Sequence, residues 1–214
     1  SRARPTPRRA RQRSSGSAYL PQTKLAIVGA GGERHSLREK LSRQMTEPHF
    51  PVLLDALAAQ MSFREARAGQ AREREGYGVV RVARLNHPGG VFAYRIEHGG
   101  RVLVYATDTE HYACVDPMLK KLAEGADVLV YDAQYTPEEY EAKVGWGHST
   151  YAAGAEVAVA VGVSELVLFH HDPQCDDAGV AAIEAAARAL FLCIVAACEG
   201  MILDVGQADG RSVV

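Results

Sequence analysis

The apolar residues of this chain come in short runs separated by glycines, prolines and capping residues, which predicts alternating strands and helices. Residues 24–28 (KLAIV) predict a buried strand, ended by Gly29-Ala30-Gly31-Gly32. Ser36 with Glu39 forms a capping box that opens a helix to about Met45. Pro48 and Pro51 interrupt, and residues 52–67 fit neither the helix nor the strand period. Gly78–Leu85 alternates and is rich in valine, a strand pattern. Residues 92–97 and 101–105 flank His98-Gly99-Gly100, the signal of a hairpin. Asp116-Pro117 starts a helix, with Asp as cap and Pro at the first helical position, and Gly125 ends it. Residues 127–131 (DVLVY) predict a buried strand. Thr136-Pro137-Glu138-Glu139 starts another helix. Ser149 or Thr150 caps an Ala-rich helix to about Val161, and Glu165–Phe169 (ELVLF) predicts a further strand. Asp176 or Asp177 caps a helix through Leu190, and residues 194–204 predict one or two short strands around Glu199-Gly200. The second half therefore repeats strand, helix, strand, helix. That order favours an α/β layered fold with ligands on loops at the strand ends.

Composition narrows the setting. The chain has 214 residues, 47% of them hydrophobic, enough for one domain, or one and a fraction, with a sizeable core. No apolar run reaches the roughly 18 residues of a membrane span, and no secretory leader pattern opens the sequence. The four cysteines form no Cys-x-x-Cys pair, which points to a reducing, cytoplasmic setting. Residues 1–16 hold six arginines and no acid; taking those six charges from the net −2 leaves −8 for the rest. Such a segment buries too little apolar surface to offset its ordering entropy, so disorder is expected for 1–16 and a domain for 17–214. The Arg-rich run is read as a nucleic-acid-binding arm, an incidental tail or a misread N-terminus. The acidic body argues against a nucleic-acid footprint over the domain itself.

The chemistry-bearing residues sit at the edges of these runs. His87 follows one strand, Asp108 another, and His170 and His171 close a third. Adjacent histidines in a strand point to opposite faces, so one of the pair serves a given site. His148 stands between Gly147 and a helix cap. Singly, each has an ordinary reading: a solvated turn histidine, or an aspartate capping a turn. Together, imidazoles and carboxylates at strand ends can converge on a divalent metal. His35, His49, His98 and His111 form no such cluster and read as ordinary surface or loop residues. A Ser–His pair at His148-Ser149 is disfavoured, because no nucleophile-elbow motif is present.

Four stretches in order carry a resemblance: LNHPGGVFAYRIEHGGRVLVYATDTE (residues 85–110), LVYDAQYTPEEY (129–140), GWGHST (145–150) and ELVLFHHDP (165–173). They are similar to the metallo-β-lactamase fold superfamily, in its ribonuclease Z-like and phosphodiesterase-like branch. The resemblance implies a layered αββα sandwich and a metal-dependent hydrolase of phosphodiester or related ester bonds that uses a metal-activated water. By position, His87 resembles a ligand of a first metal, Asp108 the carboxylate bridging two metals, and His170 a ligand of the second. His148 resembles the histidine outside the ligand set that stabilises the transferring group or assists the leaving group, and Asp132 the acid orienting it. The cofactor implied is a divalent metal, zinc first, with manganese and iron accepted by the same donors. The partner implied is a small-molecule or phosphodiester substrate, with no membrane, and a homodimer is one assembly it allows. The superfamily's His-x-His-x-Asp-His loop is expected before residues 19–28, yet residues 1–18 contain no His and no Asp. The expectation is thus a fold incomplete at its N-terminus, with about half the usual ligands. The alternative function is a non-catalytic domain lacking most of its metal ligands.

Overall fold

The computed structural model describes residues 16–30, 35–48, 50–74, 78–205 and 211–213. The Arg-rich run 2–13 and His49 lie outside them. The chain divides into two compact units, Ser1–Ala66 and Arg67–Val214.

In the first unit, β1 (Lys24–Ala30) is followed by α1 (Leu37–Gln44) and β2 (Gln60–Ala66). The Ser36 capping box is present: its hydroxyl accepts from the Glu39 N–H, and the Glu39 carboxylate accepts from the Ser36 N–H. β1 and β2 pair in parallel, Lys24 opposite Gln60 through Ala30 opposite Ala66. The strand β2 resolves the ambiguous stretch 52–67. Its residues, QMSFREA, alternate between exposed and half-buried positions, and the charges at its end masked that period in the sequence.

The second unit holds β3 (Ala71–Arg74), β4 (Gly78–Leu85), β5 (Val91–His98), β6 (Arg101–Ala106), α2 (Pro117–Ala123), β7 (Val128–Asp132), α3 (Pro137–Tyr140), α4 (Tyr151–Val161), β8 (Glu165–Phe169), α5 (Asp177–Arg188), β9 (Ile194–Ala196), β10 (Met201–Leu203) and β11 (Arg211–Val213). Strands β3 to β9 form one seven-stranded sheet in sequence order. Its first half is antiparallel and its second half, β6 through β9, is parallel. β3 escaped the sequence pattern because ARER has no apolar alternation. It is an edge strand, where charged residues discourage pairing with other chains.

In the parallel half β7 and β9 are buried along their whole length and β8 is buried at its centre, so these strands carry apolar runs. Leu129, Tyr131, Leu166, Leu168 and Ile194 face a core completed by Leu119 and Leu122 of α2, Val157 and Val161 of α4, and Ile183 and Ala187 of α5. Val128, Val130, Val167 and Val195 face the other way and pack with Leu103, Met201 and Leu203. Each fully buried Leu, Ile or Val contributes about 1.5–3 kcal/mol relative to an exposed one. Asp116, Thr150 and Asp176 cap α2, α4 and α5 with their side chains. No helix among the described residues is long and apolar enough to cross a membrane.

Strand direction decides where the chemistry collects. β4 and β6 both run antiparallel to β5, and β7 and β8 run parallel to β6. The C-terminal ends of all four therefore lie along one edge of the sheet. His87, Asp108, Asp132 and His170 are at or just past those ends.

Candidate functional site

Three side chains meet at this edge. Asp108, His148 and His170 each offer a donor atom, and these atoms all lie within 4.8 Å of one another. His170 Nε2 is 3.5 Å from Asp108 Oδ1. The His148 and His170 rings stack with centroids 4.8 Å apart and planes 19° apart. Asp108 and His170 are part exposed, with side chains 45% and 33% accessible, so the cluster opens to solvent.

The backbone is bent to bring them there. Asp108 has φ 54° and His170 φ 60°, in the left-handed region that non-glycine residues adopt at a cost. Such strain persists where surrounding structure enforces it, and it gathers at functional sites. The bend at His170 also separates it from its neighbour. His171 turns away, its Nε2–H donating to the Ala197 carbonyl at 3.2 Å, and burial lowers its pKa. Of the two, His170 is the one whose ring lies beside Asp108 and His148.

His148 is held from behind. Its Nδ1–H donates to Asp132 Oδ2 at 3.0 Å, which leaves Nε2 free for the cluster. Asp132 is fully buried and is fixed in turn by backbone donors: Ser149 N–H and Gln134 N–H to Oδ1, Thr109 N–H to Oδ2. The hydrogen bond to Asp132 holds the His148 imidazole above the usual histidine range, against a smaller opposing effect of burial.

His87 stands at the rim of the trio. Its ring meets that of His148 edge to face, centroids 5.9 Å apart, and its Nδ1 accepts the Gly89 N–H at 3.0 Å. Ser149 is buried, and its hydroxyl donates to the Thr109 carbonyl at 2.5 Å and accepts from Tyr131. Its hydroxyl is thus engaged within the protein on both sides. Of the aromatics near the site, Tyr135 is buried and Trp146 is 62% exposed.

Two residues were not singled out by sequence reasoning. Glu110 is 1% exposed, and its carboxylate accepts from Tyr140 O–H, Gly145 N–H and Gly147 N–H. His111, read from the sequence as a surface or loop residue, lies in the loop after β6. It is half-buried, its ring lies 4.3 Å from that of Tyr140, and its Nδ1 is 3.4 Å from Ser149 Oγ. Their adjacency to Asp108 in TDTEH was the available signal.

Burial pushes the pKa of His111 below its ordinary 6.5, with Glu110, Glu156 and Asp132 opposing. The fold therefore favours the neutral ring. Its contribution to stability is complete above the unfolded value and is lost as pH falls through the lower folded value. The urea midpoint is expected to drop between about pH 7 and about pH 5, and to drop less in His111→Asn than in the parent. Equal drops in the two proteins would contradict this assignment.

The donor set suits a divalent cation. Among the described residues the ion pairs of Asp108 and Asp132 run to histidines, and no Lys or Arg pairs with Asp108, Glu110 or Asp132. Mixed imidazole and carboxylate donors accept zinc, manganese or iron.

A family model described as "Beta-lactamase superfamily domain" matches residues 12–171. Ribonuclease Z of Brevibacillus brevis is 40% identical over 78 residues, which are 36% of this chain and 23% of that protein. Ribonuclease Z of a Mycobacterium species is 28% identical over 170 residues, 73% of this chain and 57% of that protein. The chain thus spans less than two thirds of the length of these curated relatives. Among solved structures, the metallo-beta-lactamase fold protein YhfI from Bacillus subtilis superposes with a TM-score of 0.61 at 16% identity, covering 81% of this chain and 62% of that one. Zn(2+)-bound PqqB from Methylobacterium extorquens gives 0.57 at 19% identity, covering 87% and 64%. The matched segment includes the ends of β4, β6, β7 and β8, and on that evidence the chain belongs to the beta-lactamase superfamily domain family and has the metallo-β-lactamase fold.

Proposed function

We propose that this chain is the catalytic part of a divalent-metal-dependent hydrolase acting on phosphodiester or related ester bonds. The observation that carries the reading is the convergence of Asp108, His148 and His170 at one sheet edge. The ribonuclease Z relatives support a phosphodiester as the substrate class.

Asp108 and His170 are the residues we assign to the cation, with His87 at the rim as the further donor. A bound divalent cation lowers the pKa of water and polarises an ester or phosphoryl oxygen. The remaining work falls to His148 and Asp132. Asp132 fixes the ring by its Nδ1–H and favours its protonated form, because this hydrogen bond raises the folded-state pKa. The Nε2–H is then available to stabilise charge on the transferring group and to give its proton to the leaving oxygen. Asp132 cannot swing away, since three backbone N–H groups hold it.

The second reading is a non-catalytic domain. One observation favours it: among the described residues, a single trio of potential ligands comes together. The two part on one test. The purified chain is supplied with Zn²⁺, Mn²⁺ or Fe²⁺ and a generic phosphodiester, bis(p-nitrophenyl) phosphate. Hydrolysis that is removed by a chelator and restored by the metal is the expected result. No chelator-sensitive hydrolysis with any of the three metals favours the non-catalytic reading.

A further inference from the structure

Among the described residues Glu110 is a buried carboxylate with no basic partner, and its side-chain hydrogen bonds go to the segment that carries His148. Oε1 accepts from Tyr140 O–H at 2.8 Å and Gly145 N–H at 2.6 Å; Oε2 accepts from Gly147 N–H at 2.9 Å. Its backbone is tied to the segment that carries His87: the Glu110 N–H donates to the Asn86 carbonyl at 2.9 Å, and Asn86 Nδ2 donates to the Glu110 carbonyl at 3.3 Å. Asp108 is two residues away in the same loop. One residue, by its backbone and its side chain, thus joins the loops after β4, β6 and β7.

Gly147 is where this linkage reaches the site. A Cβ on Gly147 would fall 2.4 Å from His87 Cδ2 and 2.8 Å from Nε2, so the bare backbone packs directly against that ring. The next residue is His148. Fixing the Gly147 N–H fixes both the seat of the His87 ring and the start of the His148 side chain. A carboxylate buried without water or a cation is costly unless its lone pairs are filled. Here a phenol and two backbone N–H groups fill them, which makes the turn at residues 145–147 the partner that a buried Glu110 requires.

We propose that Glu110 is a positioning residue of the centre: its Oε2 clamps Gly147 and thereby seats His87 and His148 for the metal-dependent reaction. This rests on the hydrolase reading given above.

Glu110→Gln tests it selectively. The amide oxygen can replace Oε1 and keep the bonds to Tyr140 and Gly145. The amide NH₂ then faces the Gly147 N–H, donor against donor. Tyr140→Phe is the reciprocal control, which removes an Oε1 bond and leaves Gly147 held. In metal-free protein, Glu110→Gln is expected to speed amide exchange at Gly147 while Gly145 stays protected, and to weaken the NOE between the Gly147 Hα and the His87 ring. Zn²⁺ affinity should fall about 10–100-fold, as for loss of an outer support of a metal centre. With bis(p-nitrophenyl) phosphate, kcat should fall and KM change little. Tyr140→Phe should lower thermal stability while leaving Gly147 exchange, the NOE and Zn²⁺ affinity unchanged. If Glu110→Gln keeps the NOE and the slow Gly147 exchange, or if the two variants lose Zn²⁺ affinity alike, Glu110 is structural only and the proposal is overturned. Should Glu110→Gln fail to fold, the parent decides. Gly147 exchange as slow as that of β7 supports the clamp, and exchange at the rate of an open loop overturns it. A parent that binds none of Zn²⁺, Mn²⁺ and Fe²⁺ defeats the hydrolase reading, while the metal-free exchange and NOE still decide whether Glu110 seats the two rings.

Discussion

His170→Ala is expected to lower divalent-metal affinity by at least about 100-fold, beyond what loss of an outer support does, and to remove chelator-sensitive phosphodiester hydrolysis. His170 lies just past β8, outside the hydrophobic core, with its ring stacked on His148 and its Nε2 beside Asp108. Its loss removes a donor from a set of three, and affinity depends steeply on ligand number and geometry. One complication can be separated by experiment. The backbone at His170 is left-handed, φ 60°, a conformation that Ala dislikes and Asn tolerates. His170→Asn therefore keeps the backbone at lower cost. If the imidazole matters, both variants lose metal affinity, with Asn the more stable protein. If Asn restores parental affinity, backbone geometry and not ligation was responsible. The comparison is made by calorimetric titration with Zn²⁺ alongside thermal unfolding.

Gly147→Ala should disable the site without replacing any titratable residue. Gly147 has φ +95°, a region unsuited to L side chains, and the added carbon would meet the His87 ring and Pro88 Cδ below 3 Å. Strained backbone at a single residue costs of order 1–3 kcal/mol. The greater effect falls on function, since relief requires the His87 ring or the whole turn to move, and the turn carries His148. Hydrolysis should fall by about 100-fold, the cost of misplacing catalytic groups by an ångström, while a folded protein remains by circular dichroism. Parental activity in Gly147→Ala would show that the turn has room to adjust and that the positions of His87 and His148 are not set here.

The part of this site that was legible in the sequence is the part governed by strand ends. β4, β6, β7 and β8 each show an apolar run closed by a turn signal, and the candidate residues stand at those closures. Parallel pairing of β6, β7 and β8 then gathers Asp108, Asp132 and His170 without further information. What the sequence could not supply is side-chain direction. His87 was read as a ligand and stands at the rim with Nδ1 turned to Gly89 N–H. His148, read as lying outside the ligand set, has its ring stacked on that of His170, a closeness the sequence does not announce. Both outcomes turn on rotamers and on a turn held by Glu110, a residue 37 positions before Gly147. Beyond its place beside Asp108, nothing local announces that the acid in TDTEH will be buried, because two of its three partners are backbone N–H groups, which every residue but proline carries. The same limit applies to β3, whose charged residues form a strand because β4 offers an edge to pair with.

The central claim is that one divalent cation is held between Asp108 and His170 with His148 beside it. The most direct measurement is a Zn²⁺ titration of the parent and of Asp108→Asn and His170→Ala, followed by calorimetry, with metal content determined on the dialysed proteins. The claim requires saturable binding by the parent and its loss in both variants. Absence of binding in the parent, or equal binding in all three proteins, would contradict it.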